Sequence, residues 1–554
     1  MLLHLLIVDD EEHVLDSLVP GFVGDLGKRL AADARIRNGL SQAALPLPKH
    51  GSLDIKVSAV GYKSGKLDKY VSRSPAQVHL HLCCEKGGGF RHALRLLKEQ
   101  FFAAVVSDLR FSEDALGARA GRYFIEDVQR RNPETFGILY SAYQKPEGFP
   151  ADRFIRKGAA ANLGGEELLA KLVEGVAAYV EHPTIRRMTR ELGRRGLIYQ
   201  SDAFGAALRR LSDYAQLHFG TEGPAPDGRR RPRPTLLIDG ETGTGKTEFA
   251  GLLHALSERR DFPFQSANCS QLTNETFLRS TLFGHVKGAF SGAAADRPGL
   301  VAAAGKGFLL LDDLHAIDEA CSVILHSFLD DGEYCHLGQD EVRRAAHAAI
   351  VCTVETPRWA EVKAEQKLPE SFFNRVEQLM LRIPPLRERP EDIAAQAKAY
   401  CQLHAAQIRE EMELSPAAVA WLVEFGFPGG NSRKLRDFLK GLVTANARVN
   451  DYLDVPELED YAAEIGLVAK LRPASAATQA PQPTTKPSDA ANSSPAPPAP
   501  DSPAAQAIEW PIEDLDPQNW QARIARLAMQ ALADESGLSG DQSETECRRM
   551  FAEK

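Results

Sequence analysis

The first part of the chain alternates short apolar runs with stretches long enough for helices. Five runs mark residues 1–181: LLIVDD, VHLHLCC, AAVVSD, GILYS and DRFIRK. This alternation is typical of a parallel sheet with covering helices. Residues 40–76 interrupt it and contain Gly, Pro, Ser and Lys. We expect them to be an insertion within the first domain, with a hairpin of its own.

A second alternation begins near residue 199, after a basic, helix-compatible connector at 182–198. Its apolar runs TLLIDG, FLLLDD and AAIVCTV predict an α/β domain over 199–388, and a helical pattern follows over 389–466. Residues 467–507 are mostly Pro, Ala and Ser, which cannot bury a core, so we expect them to be disordered or extended. The last segment, 508–554, predicts one short helix.

Composition narrows the possible classes of protein. A length of 554 residues indicates about three or four domains. The net charge of −9 argues against attraction of the whole chain to nucleic acid or to a membrane surface. With no apolar run of about 18 residues and no basic leader, we expect neither a membrane span nor a signal peptide. Eight scattered cysteines fit a reducing, cytoplasmic location.

A glycine-rich loop follows the first strand of the second domain. Gly240, Gly243, Gly245, Lys246 and Thr247 belong to GETGTGKT, which fits GxxxxGK[ST] and precedes a helical pattern. In this context backbone N–H groups and a helix N-terminus bind phosphates, the lysine reaches the β- and γ-phosphates, and the hydroxyl binds Mg²⁺. The loop therefore predicts a site for ATP with Mg²⁺.

Two acids complete the predicted nucleotide site. The run FLLLDD ends in Asp312 and Asp313, about 65 residues after the loop. We expect Asp312 to hold the Mg²⁺ shell and Asp313 to activate water.

Residues from about 199 to 448 resemble the AAA+ domain of bacterial enhancer-binding proteins, which remodel sigma-54 RNA polymerase. The matching segments include GETGTGKT, LFGHVKGAFSGA (282–293), GFLLLDDLH (307–315) and RIPPLRERPEDI (382–393). The GAFSGA stretch is the most specific of them. By this resemblance Phe290 and Ser291 contact sigma-54, and the ATPases assemble as a ring, a hexamer by analogy.

Other positions carry over from the family with departures. Asn268 matches the switch residue that holds the catalytic acid back, Arg433 the lid arginine that senses nucleotide, and Arg375 a catalytic arginine that faces the neighbouring subunit. Among the departures of this chain from the family, Pro369 replaces the first of two neighbour-facing arginines, Glu355 an asparagine, and Asp313 a catalytic glutamate. A carboxylate about 1.5 Å shorter can cost about 100-fold in rate, which leaves slow turnover or binding alone as alternatives.

Polar residues also end the predicted strands of the first domain. Asp9, Asp10, Asp108, Ser141 and Lys157 follow apolar runs, and ligands bind at the carboxyl ends of parallel strands. Carboxylate oxygens at that position suit Mg²⁺, and a carboxylate can accept a phosphoryl group.

This set resembles the receiver domain of two-component response regulators, a flavodoxin-like fold. The resemblance implies Asp108 as phospho-acceptor, Asp9 and Asp10 as metal ligands with it, and Phe154 as the switch aromatic. Ser141 and Lys157 would bind the phosphoryl oxygens. The segment between them is shorter than in the family, and Gly158 replaces a proline.

Together these features predict a response regulator that uses ATP to activate sigma-54 RNA polymerase holoenzyme, controlled by a sensor histidine kinase. The alternative is a nucleotide-gated binding or scaffold protein with little turnover. Direct DNA binding is doubtful, because residues 508–554 carry ten acidic against five basic residues.

Overall fold

The computed structural model describes residues 2–9, 12–42, 52–60, 76–84, 89–108, 120–156, 165–220, 235–272, 274–447 and 451–467. Asp10, Lys157 and the segment 468–554 lie outside the described residues, and with them the predictions made for these positions. Met1–Tyr461 form one compact unit and Ala462–Lys554 a second.

Six strands form the first sheet in the described residues. They are β1 (Leu3–Asp9), β2 (Ile55–Val60), β3 (Val78–Cys84), β4 (Phe102–Ser107), β5 (Phe136–Ser141) and β6 (Phe154–Arg156). Their order is β2-β3-β1-β4-β5-β6, and all neighbours are parallel. Without β2, the order β3-β1-β4-β5-β6 is that of the doubly wound, flavodoxin-like fold. The fold predicted for the first domain is therefore confirmed.

The strand β2 lies in the described part of the expected insertion, where it belongs to the main sheet and not to a hairpin of the insertion's own. It pairs in parallel with β3, from Ile55 beside Val78 to Val60 beside Cys83. A hairpin needs an antiparallel pair, whereas this strand extends the edge of the main sheet. Its burial alternates only partly, as befits an edge strand with one face on the core.

Five parallel strands form the second sheet. They are β7 (Leu236–Asp239), β8 (Phe264–Asn268), β11 (Phe308–Asp312), β14 (Ala349–Val354) and β15 (Leu379–Arg382). Their order is β15-β7-β14-β11-β8. Short strands form three further pairs: β9 (Gly284–His285) with β10 (Arg297–Pro298), β12 (Glu333–Tyr334) with β13 (Arg344–Ala345), and β16 (Glu413–Leu414) with β17 (Tyr452–Leu453).

Helices cover the two sheets, and the helical segment predicted over 389–466 is called the lid below. Those of the first half are α1 (Glu12–Ala32), α2 (Ala34–Gln42), α3 (Gly89–Glu99), α4 (Ala120–Arg131), α5 (Gly165–Glu181), α6 (Pro183–Arg194), α7 (Asp202–Leu217) and α8 (Lys246–Leu256). Those of the second half are α9 (Glu275–Leu282), α10 (Leu300–Ala304), α11 (Glu319–Asp331), α12 (Thr356–Ala364), α13 (Glu370–Val376), α14 (Pro390–Gln407), α15 (Pro416–Phe425), α16 (Asn431–Ala445) and α17 (Val455–Glu464). Within the described residues, no helix combines the length and apolarity that crossing a bilayer requires.

One apolar cluster runs through both sheets. It includes Leu5 of β1, Val176 of α5, Leu208 of α7 and Leu236 of β7, all fully buried. Because burial of such side chains is the main favourable term in folding, this shared cluster stabilises the two sheets together. The helix α7 begins after Ser201, whose hydroxyl accepts a hydrogen bond from the N–H of Phe204.

Candidate nucleotide-binding site

The phosphate loop lies between β7 and α8. Gly243 and Gly245 have φ angles of +78° and +103°, a left-handed backbone that glycine adopts without strain. The turn brings the chain directly into α8, which begins at Lys246. Free N–H groups at the start of this helix therefore point into the loop, where an anion binds favourably.

The side chain of Lys246 lies inside the loop. Its ammonium donates hydrogen bonds to the carbonyl oxygens of Gly240 at 2.9 Å and Glu241 at 3.2 Å. Burial lowers the pKa of Lys246, while the negative charges of Asp313 and Glu355 act in the opposite direction. The loop thus holds a cation at the position that phosphate oxygens would approach.

Asp312 ends β11 beside the loop. Its carboxylate accepts hydrogen bonds from the hydroxyl of Thr247, at 3.3 Å and 3.5 Å, and from that of Thr353 on β14. The structure therefore brings together the two predicted magnesium ligands of this domain. The strand β14 lies between β7 and β11 in the sheet, and its Thr353 holds the carboxylate of Asp312 from this neighbouring strand.

Asp313 follows with a left-handed backbone, at φ 56° and ψ 46°. Its N–H donates to the hydroxyl of Thr353 at 3.0 Å. Asn268 lies directly beside Asp312 in the sheet, and its side-chain oxygen accepts from the N–H and the hydroxyl of Ser270. The expected switch residue is therefore adjacent to the two acids, with its amide oxygen engaged on its own loop.

Glu355 has a contact that its sequence position did not reveal. Its carboxylate accepts a hydrogen bond from the hydroxyl of Thr242 in the phosphate loop at 2.6 Å. It also pairs with Arg358 at 3.2 Å. The residue that replaces the family's asparagine thus holds the phosphate loop.

The helical lid contacts the same loop through Asn431, which is buried and has φ 47°. Its amide donates to the carbonyl of Thr242 at 3.0 Å and to Glu241 at 3.2 Å, while its oxygen accepts from the N–H of Leu386. Arg387 adds an ion pair to Glu241 at 2.7 Å. No motif in the sequence signalled these contacts, because they depend on the docking of the lid.

A cavity opens between the loop, the connector and the lid. Its walls include Gly243, Gly245 and four arginines: Arg195, Arg389, Arg433 and Arg436. Guanidinium groups beside a phosphate loop suit a polyanion. The structure thus places the predicted sensor Arg433 at the nucleotide cavity.

Arg375 lies elsewhere. It is buried on α13, where its guanidinium pairs with Asp330 at 2.7 Å and donates to the carbonyl of Leu329, both in α11. Arg375 is thus bound within its own chain.

A hairpin projects from the same domain. The loop between β9 and β10 carries Phe290 and Ser291, both exposed, at a turn in which Gly288 and Gly292 have φ angles of +84° and +113°. The ring of Phe290 meets that of His285 edge-on, with centroids 5.0 Å apart. An exposed aromatic at a glycine-flanked tip is suited to contact with another protein.

Two acids of the first sheet lie at the carboxyl ends of neighbouring strands. Asp9 ends β1, and Asp108 follows β4 with its N–H bonded to the carbonyl of Val8 at 3.0 Å. Asp9, Asp108 and Ser141 are all buried. Phe154 begins β6; its side chain is half-buried and packs against a buried apolar cluster that includes Leu6 and Leu139. Asp9, Asp108 and Ser141 thus lie at the carboxyl ends of neighbouring strands, whereas Phe154 lies at the start of β6, beside Leu139 of β5.

Residues 230–382 match the family model described as "Sigma-54 interaction domain". The resemblance to sigma-54-dependent regulators is confirmed for this segment. An AAA+ domain of this kind indicates the capacity to bind and hydrolyse a nucleoside triphosphate.

Curated relatives agree over the same region. The chain is 32% identical over 242 residues to the regulatory protein LuxO of Vibrio cholerae, covering 43% of this chain and 52% of that protein. It is 36% identical over 214 residues to the Nif-specific regulatory protein of Rhizobium etli, covering 39% and 36%. The matches thus span about half the length of these relatives or less. Among solved structures, NtrX from Brucella abortus in complex with ADP aligns with a TM-score of 0.41 and 17% identity, covering 86% of this chain and 88% of that one.

Proposed function

We propose that the chain is a response regulator that uses ATP to activate sigma-54 RNA polymerase. The observation that carries this proposal is the exposed Phe290–Ser291 hairpin, within a segment matched by the Sigma-54 interaction domain, on the same domain as the phosphate loop. In this proposal, nucleotide-dependent movement of the domain presses the hairpin against the sigma factor.

The residues around the loop fit ATP with Mg²⁺. The oxygens of Thr247 and Asp312, 3.3 Å apart, are hard ligands of the kind that Mg²⁺ prefers. The ion would neutralise phosphate charge during transfer. Lys246 and Arg433 would bind phosphate oxygens, and Asp313 would orient the attacking water and accept its proton.

Assembly into a ring, proposed as a hexamer, would place a neighbour's arginine at each site. For Arg375 to act in this way it must leave Asp330, to which it is paired at 2.7 Å. Its transfer from this ion pair to a phosphate would couple subunit contact to hydrolysis. Mutation of Asp330 tests this separately from mutation of the arginine.

Control by a histidine kinase would act through Asp108. Asp9 and Asp10 would hold Mg²⁺ beside it, and Ser141 and Lys157 would receive the phosphoryl oxygens. Incubation with acetyl phosphate should phosphorylate the wild type and leave Asp108→Asn unmodified. Equal labelling of both proteins would reject Asp108 as the acceptor.

The decisive test is remodelling of a sigma-54–promoter complex with ATP. Phe290→Ala should lose remodelling while it keeps ATP hydrolysis. Phe277→Ala, which removes an equally large exposed ring from α9, is the matched control and should retain both activities. Absence of remodelling by the wild type, where a family control is active, would reject the proposal.

A nucleotide-gated scaffold is the second candidate, favoured by the contact between Glu355 and Thr242 and by the burial of Arg375. The first puts a carboxylate on the phosphate loop, and the second keeps Arg375 paired with Asp330 of its own chain. Comparison of ATP hydrolysis by the wild type and Lys246→Ala separates the two functions. A wild-type rate no higher than that of the variant, with ATP binding retained, would favour the scaffold.

A further inference from the structure

Three buried histidines face one another on the first sheet. They are His4 on β1 and His79 and His81 on β3, each less than 4% exposed. Their candidate ligand atoms all lie within 4.8 Å of one another. Nothing in the proposed ATPase or receiver chemistry uses them.

The strand register explains why they meet. His79 and His81 are two residues apart, so their side chains share one face of β3. His4 is the direct neighbour of His79 on the parallel strand β1. The rings are closely packed, with centroids of His79 and His81 3.7 Å apart and those of His4 and His81 5.3 Å apart.

The ring nitrogens are arranged as in a coordination site. Nδ1 of His4 lies 3.0 Å from Nε2 of His81. Tetrahedral zinc bonds of 2.0–2.1 Å place neighbouring ligands about 3.3 Å apart, so these two nitrogens need to move little. His79 turns Nδ1 towards Asp202 at 3.3 Å, while its other nitrogen, Nε2, contacts the Ser58 hydroxyl at 2.6 Å. A metal-bound histidine typically fixes its second nitrogen by such a contact.

Within the described part of the chain, three charged or titratable groups act on the cluster from neighbouring elements. They are Lys56 on β2, His92 on α3 and the carboxylate of Asp202, whose negative charge opposes that of the lysine.

Asp202 belongs to the other domain. It is the first residue of α7, which leads into the second α/β domain, and its carbonyl accepts a hydrogen bond from Gln100 at 2.6 Å. Its carboxylate contacts His79, so a site formed by His4, His79 and His81 would be linked to α7 through Asp202. Three imidazoles with a fourth position open to water suit Zn²⁺ and related divalent transition ions.

We propose that His4, His79 and His81 bind a divalent transition-metal ion, with Zn²⁺ as the first candidate, and that Asp202 positions His79 through its contact with Nδ1. The contact between His79 and Asp202 links the site to α7. The competing explanation is a set of neutral, stacked imidazoles joined by hydrogen bonds.

The test uses the full chain, stripped of metal by a chelator and then dialysed. Zn²⁺ should bind the histidine cluster at about one ion per chain and raise the melting temperature, and this rise should be lost in His81→Phe. Any stabilisation by Mg²⁺, which the acidic sites would bind, should be the same in the wild type and in this variant. Co²⁺ in place of Zn²⁺ should give the visible spectrum of a four-coordinate site with nitrogen and oxygen ligands. A stripped wild type that gains neither stability nor a Co²⁺ spectrum would overturn the proposal.

Variants assign the ligands. His81→Phe keeps an aromatic ring and should abolish the Co²⁺ spectrum, and Asp202→Asn should weaken Zn²⁺ binding about 10- to 100-fold. His218→Phe, at the opposite end of α7, is the matched control and should bind as the wild type does. Undiminished binding by Asp202→Asn, a change outside the sheet, would place the metal elsewhere and overturn the proposal even if His81→Phe fails to fold.

Discussion

Asp313 combines a catalytic expectation with a constrained backbone. It lies immediately after the buried strand β11, with φ 56° and ψ 46°. Asp and Asn tolerate this left-handed conformation better than longer side chains do. The shorter acid is therefore compatible with its local backbone, which gives a structural reason for the residue independent of turnover.

Asp313→Glu should increase the rate of ATP hydrolysis, by up to about 100-fold, if the attacking water lies where a glutamate would reach it. The left-handed conformation costs an ordinary residue about 1–2 kcal/mol, of which the aspartate already bears a part, so the variant should be less stable by a fraction of this and melt at a slightly lower temperature. Asp313→Asn is the control: it keeps the size and should lose turnover while it retains ATP binding. A glutamate variant that is no faster would indicate that the aspartate already reaches the water.

Glu355 places a negative charge near the phosphate loop, bonded to Thr242 at 2.6 Å. Glu355→Gln keeps an oxygen acceptor for this hydroxyl but removes the charge that repels phosphate. We expect ATP to bind several-fold more tightly, measured by titration with a fluorescent nucleotide. Glu361→Gln, an exposed change on α12, should leave the affinity unchanged. Weaker ATP binding by Glu355→Gln would instead show that the charge supports the loop.

At the scale of elements, features encoded by a few neighbouring residues could be predicted from the sequence. The packing of one element against another that is distant in the sequence could not. The loop before α8 and the acids that end β11 follow from local sequence, because strand, turn and helix signals are contiguous there. The parallel pairing of β2 with β3 depends on a register between distant segments, which no local signal fixes. The lid contact through Asn431 likewise requires α16 to be docked on the phosphate loop.

Gly243 tests that docking. A Cβ there would lie 2.0 Å from the carbonyl oxygen of Gly430 in the lid, and its φ is +78°. Gly243→Ala should therefore displace the lid, lower ATP affinity at least about 10-fold and reduce the melting temperature. Gly429→Ala is the matched control, because Gly429 has φ +71° but no atom within 4 Å of a Cβ. Equal losses in the two variants would attribute the effect to backbone strain rather than to the lid.

At the scale of the whole molecule, the two α/β domains contact each other at the amino ends of strands of the first sheet, opposite the carboxyl ends where its acids lie. Arg209 of α7 pairs with Glu134 at 3.3 Å and bonds to Asn132, both just before β5, and its guanidinium lies 4.8 Å from the ring centre of Phe101. The strands themselves connect this contact to the acidic edge. A change at Asp108 would therefore have to reach α7 through the sheet or its helices.

Arg209→Met should uncouple the domains. The substitution leaves Glu134, whose side chain is 7% exposed, without its charge partner, and breaking a buried pair costs about 3–5 kcal/mol. Beryllofluoride mimics the phosphoryl group, and its effect is measured as the ratio of the ATP hydrolysis rates with and without it. If this contact transmits the state of the receiver, the ratio should differ from 1 in the wild type and be about 1 in the variant. Arg210→Met, the exposed neighbour on the same helix, should preserve the wild-type ratio. An unchanged ratio in a folded Arg209→Met protein would exclude this contact as the route.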